Sequence, residues 1–362
     1  MKILRSISML ASGLVLSASG AAAQISLTPP AAQPQPSATR PVAKPKARPH
    51  AVTGKPAAKA AAPKAAATAP APAATVTPAP LPDDPNVDLV YGAYQRGLYK
   101  TAFDLATRRV QDKGDPKAMT MLGELYANAM GVKLDYAKAA EWYKRAADGG
   151  DREAMFALAM LRLEGRGGPV DREEAVKLLA SSAKLGNPKA AYNLALLYLD
   201  GQTLPRDLKR SAELLRVAAD AGNPEAQYAL ATFYKEGTGV AKDIEKSVRL
   251  LQAASLADNV DAEVEYAIAL FNGTGTPKNE AAAVALLRKA ARQNSPIAQN
   301  RLAWVLVNGQ GAPMDKIEGL KWHIIAKTAG KGDPALDETL AGLSPEDRAK
   351  AEAAARKWLG TK

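Results

Sequence analysis

The sequence predicts an all-α protein that folds as an α-solenoid of helix-loop-helix repeats. The first observation is a 36-residue period that runs from residue 115 to residue 330 through six units, without an insertion or a deletion. The second is a pair of alanine-rich columns five residues apart, and the third is a helix-capping residue at the same two places in each unit. One helical hairpin cannot bury its apolar faces alone, whereas a stack of hairpins can. The units begin at Asp115, Asp151, Asn187, Asn223, Asn259 and Ser295.

Residues 1–23 have the pattern of a signal peptide. Lys2 and Arg5 give a positive start, residues 7–18 are mostly apolar, and three alanines precede an expected cleavage site after Ala23. The apolar stretch is short for a membrane span and is interrupted by serines. We therefore expect a periplasmic or secreted protein with no transmembrane anchor after cleavage. The alternative is that the segment is retained as an anchor.

Residues 24–84 are predicted to form a disordered linker. The stretch 24–82 contains fourteen prolines, much alanine and seven basic side chains, with few large apolar residues. Such a composition removes backbone donors and cannot bury a core. Two interpretations stay open, because a run of like charges is often only solvated. The linker is either a plain spacer or a spacer that also binds anionic envelope material.

The charge and cysteine content exclude several classes of function. The first 82 residues hold nine of the 48 Lys and Arg residues and none of the 37 Asp and Glu residues, so residues 83–362 carry 39 basic against 37 acidic side chains. A nucleic-acid-binding domain needs a basic face on its folded part, because phosphate contacts supply most of the affinity. We therefore expect no nucleic-acid partner. The chain has no cysteine, which excludes disulfides, thiol catalysis and cysteine-ligated metals.

Each unit opens with a helix, which we name helix A. Its N-cap is always Asp, Asn or Ser, whose short side chain accepts a hydrogen bond from a free backbone N–H group, and proline follows the cap in four units. Two small-residue columns and the leucine-rich column between them share one broad face on a 3.6-residue period. We expect this face to pack in the core. The small-residue columns are Ala118, Ala154, Ala190, Ala226, Ala262, Ala298 and Gly123, Ala159, Ala195, Ala231, Ala267, Ala303.

A glycine-containing loop joins helix A to a second helix, helix B. Helix A is followed by glycine in five of the six units, and a second glycine comes two residues later in five units, with Thr203 as the exception. A second column of Asp or Asn then caps helix B. Left-handed residues are expected just before each unit, since glycine, aspartate and asparagine tolerate that conformation. These residues are Gly114, Gly150, Gly186, Gly222, Asp258 and Asn294.

These columns closely resemble the Sel1-like repeat family, a relative of the tetratricopeptide repeats with a longer loop between its helices. The unit "NPEAQYALATFYKEGTGVAKDIEKSVRLLQAASLAD" fits that pattern almost throughout. The resemblance covers residues 115–330 and implies a right-handed superhelix. Upstream, "VYGAYQRGLYKTAFDLATRRV" looks like a tetratricopeptide-type hairpin, so residues 85–114 are expected to cap one end. Downstream, Ser344 and Pro345 open a helix with acids first and bases last, so residues 331–362 are expected to cap the other.

The sequence contains no recognisable catalytic or metal-binding constellation. His323 lies in a column otherwise filled by Tyr143 and four leucines, so we interpret it as a buried packing residue. The only other histidine is His50, far away in the linker, which makes a zinc site improbable. The stretches "GTGTPKNE" and "GRGGPVD" look like phosphate loops, but they follow a helix rather than a strand. We predict no cofactor, no metal and no enzymatic activity.

The remaining candidate site is a surface of helix A opposite the predicted core. One of its columns varies in residue type from unit to unit, and another is polar throughout. In related solenoids this surface lines the concave side, so we expect a protein or peptide partner to bind in a concave groove. The alternative is a solvated face with some packing between units, notably at Tyr192, Tyr228 and Trp304. The predicted partner-binding residues are Met121, Asn128, Asn193, Asp200, Glu236, Glu265, Asn272, Arg301 and Asn308.

Three hypotheses of function are open at this point. The first, favoured by the resemblance to Sel1-like scaffolds and regulators, is a non-enzymatic adaptor or regulator at the bacterial cell envelope. The second is a wall-associated structural protein that binds through its basic linker. The third is an enzyme that acts on wall material or on β-lactams, as suggested for some cysteine-rich relatives. That enzyme would need a nucleophile with its base, or a metal, and the sequence offers neither.

Overall fold

A computed structural model of the chain describes residues 88–360, and within this range the chain forms sixteen α-helices and no β-strand. The predicted all-α solenoid of helix-loop-helix repeats is confirmed. The predicted signal peptide, the whole of the predicted linker and the first three residues of the predicted N-terminal cap, together residues 1–87, lie outside the described residues. The helices are α1 (Leu89–Gln95), α2 (Tyr99–Lys113), α3 (Pro116–Ala127), α4 (Tyr136–Asp148), α5 (Arg152–Glu164), α6 (Arg172–Lys184), α7 (Pro188–Asp200), α8 (Leu208–Asp220), α9 (Pro224–Glu236), α10 (Ile244–Leu256), α11 (Val260–Asn272), α12 (Glu280–Arg292), α13 (Pro296–Asn308), α14 (Lys316–Thr328), α15 (Pro334–Ala341) and α16 (Pro345–Gly360).

The six sequence units are six consecutive helical hairpins, which we number units 1 to 6. Helices A are α3, α5, α7, α9, α11 and α13, and helices B are α4, α6, α8, α10, α12 and α14. From α1 to α14, every helix packs against the next helix in the chain. This nearest-neighbour packing is the property that lets a stack of small hairpins bury a core that no single hairpin has.

The small-residue columns lie in that core, as predicted. Five of the six residues in the Ala118 column have no exposed surface, and Ala118 itself is only 2% exposed. The residues of the Gly123 column are all buried, and so is Leu122 between the two columns. Because a methyl group or a hydrogen replaces a larger side chain at these points, neighbouring helices approach closely while leucines fill the remaining space.

The local signals at the helix ends are also where the sequence places them. The Asp151 carboxylate accepts a hydrogen bond from the backbone N–H of Ala154, and Asn187 caps α7 in the same way. Asp258 and Asn294, which stand where other units have glycine, are left-handed with φ of 60° and 68°. Helix starts are therefore set by capping side chains within three residues, and helix ends by residues that adopt the left-handed conformation.

The second glycine of the loop is required by a contact with the preceding unit, which the sequence did not reveal. Gly311 has a φ of 70°, and a β-carbon there would lie 2.6 Å from the carbonyl oxygen of Glu280, the first residue of α12. A β-carbon on Gly167 would overlap the backbone of Tyr136 at the start of α4. Glycine is needed both for its backbone conformation and for this close approach. Thr203, the exception, is not among the residues with positive φ.

The C-terminal region contains one helix more than expected. The predicted closing helix is present as α16, and the Ser344 hydroxyl accepts a hydrogen bond from the backbone N–H of Asp347. Before it lies α15, whose N-cap is Asp333 and whose first residue is Pro334. A capping residue followed by proline also opens four of the six helices A, so the sequence contained the information for α15.

No helix among residues 88–360 combines the length and the apolar content that crossing a bilayer demands.

Candidate partner-binding face

The nine predicted partner-binding residues all lie on helices A or at their last turn, and we call this surface the A-helix face. Four of them occupy the middle of their helices, and five lie at or just after the helix end. None of the nine is buried. Met121, Asn193, Asp200, Glu265 and Arg301 are half-buried, and Asn128, Glu236, Asn272 and Asn308 are exposed.

Several polar side chains of this face are bonded to their own helix. The Asn128 side-chain amide donates to the Glu124 carbonyl oxygen and carboxylate, at 3.0 and 2.8 Å. The Asn308 amide donates to the carbonyl oxygen of Trp304 at 2.8 Å. In each case the side chain adds a bond to the last turn of its own helix, and the Glu124 carbonyl oxygen also accepts the backbone N–H of Asn128. The polar row at the helix end thus has a structural role as well as being accessible.

The middle row of the face also contributes to contacts between units. Met121 packs partly against the core formed by α1, α2 and α3. The Glu265 carboxylate forms an ion pair with Lys235 of the preceding helix A, at 2.9 Å. Trp304 is one of the residues that the alternative interpretation of the sequence assigns to packing between units. Its Nε1 donates a hydrogen bond to Asp333, the N-cap residue of α15. The face is therefore neither wholly packed nor wholly solvated.

Two tyrosines on the A-helix face were missing from the predicted site. Tyr192 and Tyr228 lie 36 residues apart in equivalent positions, and both are half-buried. Burial, with the nearby Glu225 carboxylate, raises the pKa of Tyr192 to about 12. Burial also raises the pKa of Tyr228, and the carboxylates of Asp261 and Glu265 add to the effect. Both hydroxyls can donate a hydrogen bond at neutral pH, as an ordinary tyrosine can, and the raised pKa extends this to more alkaline solution.

The carboxylates around Tyr228 make the centre of the face acidic. Among the described residues, Glu225, Glu236 and Asp261 form no ion pair, and Lys235 is the one base paired with an acid of this group. Asp261 is exposed to solvent. Nevertheless, desolvation by neighbouring protein atoms, followed by repulsion from Glu265, raises the pKa of its carboxyl group. A negative charge held in such a place is stabilised by any cation that approaches it.

His323 is buried, as predicted, but only one of its ring nitrogens has a partner. Its Nε2 lies 2.8 Å from an Asp337 oxygen, which joins α14 to α15, and its Nδ1 has no hydrogen-bond partner among the described residues. Asp337 also forms an ion pair with Lys327 at 2.8 Å. In residues 88–360, no three or more His, Asp or Glu side chains come together as a potential metal site. The histidine thus fixes the C-terminal cap.

A stack of helical hairpins with an accessible surface along its helices A defines a class of protein, the helical repeat solenoid. Within that class, the Sel1 repeat model matches six consecutive segments, residues 116–151, 152–187, 188–223, 224–259, 260–295 and 296–331. These segments make up more than half of the chain, and the protein belongs to the Sel1 repeat family. Proteins with Sel1 repeats generally mediate protein–protein interactions.

Two solved structures illustrate the likeness. A Sel1 repeat protein from Oxalobacter formigenes is 25% identical, with a TM-score of 0.59, and the match covers 66% of this chain and 98% of that one. The protective antigen c5321 of uropathogenic Escherichia coli, described as having an SLR fold, is 24% identical, with a TM-score of 0.52. That match covers 72% of this chain and 64% of that one, and it shows the fold alone. No curated protein matches the sequence.

Proposed function

We propose that this protein is a non-enzymatic scaffold that binds a protein or peptide partner along its A-helix face. The observation that supports the proposal is the contrast between neighbouring columns of helix A. The column of Ala118 is buried in every unit, whereas no residue of the predicted site is buried. In addition, the column that begins at Met121 changes its residue type from unit to unit. A regular backbone with varied side chains on one side provides a distinct contact in each unit.

The partner we propose is a protein segment that carries Lys or Arg. Glu225, Glu236 and Asp261 are acids without ion pairs among the described residues, and a cationic segment complements them. Tyr192 and Tyr228 add aromatic surface and hydroxyl donors within the same region. The proposal therefore predicts binding that weakens as salt concentration rises.

Site-specific photo-crosslinking tests the proposed face. A photoreactive amino acid replaces Asn193, Glu265 or Arg301 in the 362-residue chain, one position at a time, in the native host. We expect the same partner protein to be captured from at least two of these positions. The matched controls are Lys177 and Lys209, which are exposed on helices B. Equal capture from helices A and B, or capture from neither, would contradict the proposal.

We further propose that the protein acts in the cell envelope, after export and removal of residues 1–23. The support is the order of positive, apolar and small residues at the start of the sequence. Cell fractionation should place the protein in the periplasm or the medium, and N-terminal sequencing of that material should begin at Gln24. Recovery of the unprocessed chain from the cytoplasm alone would contradict this part of the proposal.

A second candidate function, attachment to anionic wall or lipid material, is favoured by one observation. Residues 24–82 carry seven basic and no acidic side chains, whereas residues 83–362 are nearly balanced, with 39 basic and 37 acidic side chains. The protein from Gln24 onward should then co-sediment with anionic vesicles or isolated wall, whereas a chain that begins at Asp83 should stay in the supernatant. Equal sedimentation of the two would exclude the linker as the binding segment.

A further inference from the structure

Unit 1 carries a carboxylate at a position where no other unit has an acid. Glu124 lies in the last turn of α3 and is half-buried. The Tyr143 hydroxyl donates a hydrogen bond to its Oε2 at 3.0 Å, and the Asn128 amide donates to its Oε1 at 2.8 Å. Both donors are neutral, and no Lys or Arg among residues 88–360 forms an ion pair with this carboxylate. Its counterparts in units 2 to 6 are Met160, Leu196, Thr232, Ile268 and Trp304. The repeat framework therefore does not require an acid here.

Tyr143 fixes the position of the Glu124 carboxylate. The column of Tyr143 contains leucine in units 2 to 5 and His323 in unit 6, so unit 1 alone has a hydroxyl there. Tyr143 is buried, and burial, followed by the Glu124 charge, raises the pKa of its hydroxyl group. The hydroxyl therefore acts as a donor to the carboxylate. One hydrogen bond from a buried side chain and one from Asn128 hold Glu124 in a defined place, as a preorganised site requires.

Three tyrosine rings from α1 and α2 lie near Glu124. The rings of Tyr94 and Tyr99 meet at 64° with 5.8 Å between their centroids, and Tyr91 stacks beside Tyr94 at 6.4 Å. Tyr94 and Tyr99 belong to the same apolar group as Met121, which lies one turn before Glu124. Burial, followed by the nearby Glu124 charge, raises the pKa of Tyr94. Tyr91 is 50% exposed and the other two rings are half-buried, so this corner of aromatic rings is accessible to a ligand.

The chemistry of this corner fits an organic cation. The face of a tyrosine ring attracts a cation within about 6 Å of its centre, and two rings at a steep angle offer two such faces. The carboxylate supplies a full negative charge, and the C-terminal end of α3 adds the negative end of the helix dipole. Arg96, in the turn after α1, donates to the Gly92 carbonyl oxygen instead of to Glu124. Within residues 88–360 no three acidic or histidine side chains come together, so a metal ion lacks the several oxygen ligands that it needs.

We propose that this cluster is a binding site for an organic ammonium group, with Glu124 as its counter-ion and Tyr94 and Tyr99 as its aromatic walls. Two sources present this chemistry, the trimethylammonium group of a choline-type headgroup and the side chain of a lysine. The first contacts the ring faces through its methyl groups, and the second also donates a hydrogen bond to the carboxylate. The inference goes beyond the proposed function and does not require it, because a small molecule with one ammonium group fills the site.

Isothermal titration calorimetry of the 362-residue chain tests the site with three small molecules. Choline represents the headgroup, butylammonium represents the lysine side chain, and 3,3-dimethylbutan-1-ol is the uncharged isostere of choline. We expect at least one of the two cations to bind about tenfold more tightly than the uncharged isostere, because the ring faces and the carboxylate attract charge. Tighter binding of choline assigns the site to a headgroup, and tighter binding of butylammonium assigns it to lysine.

Substitutions separate the carboxylate from the aromatic walls. Glu124→Gln keeps an acceptor for Tyr143 but removes the charge, so it should weaken binding of the cations by about tenfold. Tyr94→Leu removes a ring face and should weaken binding by about threefold to tenfold, whereas Tyr94→Phe keeps the face and should stay within about twofold of the parent protein. The matched control is Glu141→Gln, an exposed acid on α4 of the same unit, which should bind as the parent does.

Circular dichroism of each variant checks that its helices are intact. If both cations bound no more tightly than the uncharged isostere, the inference would be overturned without the need for any variant. Unchanged binding in a folded Glu124→Gln protein would also overturn it, as would equal losses in Tyr94→Leu and Tyr94→Phe. The Tyr94 variants test the site if Glu124→Gln does not fold, and Glu124→Gln tests it if they do not.

Discussion

The ring of Tyr143 occupies the space that a β-carbon on residue 123 would need. A β-carbon built on Gly123 would lie 2.5 Å from the Tyr143 Cε1 atom. The next five units pair alanine at the position of Gly123 with a smaller or differently shaped side chain at the position of Tyr143, such as Ala159 with Leu179. Unit 1 thus combines a smaller residue on helix A with a larger one on helix B.

This exchange of volume predicts a coupled pair of substitutions. Gly123→Ala should lower the free energy of unfolding by about 1–3 kcal/mol, because the added methyl group has no room. Adding Tyr143→Leu should recover part of the loss, although it removes the hydrogen bond from the Tyr143 hydroxyl to Glu124. Urea unfolding of the two single variants and the double variant measures the coupling. Strictly additive losses would contradict the packing explanation.

Two glycines with the same backbone conformation should respond differently to alanine. Gly311 and Gly222 have φ of 70° and 84°, so alanine at either one is strained by about 1 kcal/mol. At Gly222 no atom lies within 4 Å of the added β-carbon, whereas at Gly311 the Glu280 carbonyl oxygen is 2.6 Å away. Thermal unfolding should therefore show a distinctly larger decrease in Tm for Gly311→Ala. Equal decreases would mean that the loop moves aside at no cost.

The C-terminal cap should lose stability in acid through Asp337. Lys327, and then His323, lower the pKa of this carboxyl group below its ordinary value of 3.8. A lowered folded-state pKa contributes stability that is fully present above the unfolded pKa and is lost as pH falls through the folded pKa. Because Asp337 is 38% exposed, we expect the contribution to be under about 1 kcal/mol.

The measurement for Asp337 is unfolding as a function of pH. Asp337→Asn should be less stable than the parent protein at pH 7, and the difference should shrink as pH falls below about 4 and vanish once the pH is below the lowered folded-state pKa of Asp337. The control is Asp148→Asn, which removes an exposed ion pair with Lys144 and should change little at either pH. A difference that grows on acidification would contradict the assignment.

The sequence predicts the repeat framework well because its determinants are local. The caps at Asp151 and Asn187 act within three residues, and the buried alanines follow from a fixed period. Helix α15 could have been predicted by the same rule, from Asp333 and Pro334. These features need no knowledge of which helix packs on which.

The contacts between units could not be predicted in the same way. The sequence shows that residue 123 is small, but only the stacked hairpin shows that Tyr143 fills the vacated space. Likewise, Glu263 is one carboxylate among many until its burial beside Lys289 is seen. The role of Tyr228 depends on acids from the next unit, Asp261 and Glu265. Pairings of this kind are set by packing across a hairpin or a joint.

The buried charge of Glu263 leads to a last prediction, about Lys289. Lys289→Met removes the counter-charge of a carboxylate that has no exposed surface, so it should lower the free energy of unfolding by about 3–5 kcal/mol. We expect a value near the lower figure, because water can reach the half-exposed site of the lysine. Adding Glu263→Gln should restore most of that loss, because no buried charge then lacks a partner. Lys246→Met, which removes an exposed ion pair with Asp243, is the control and should cost less than about 1 kcal/mol. If urea unfolding showed a loss for Lys289→Met as small as that of the control, the Glu263 carboxylate would have to be hydrated in solution, which contradicts its burial.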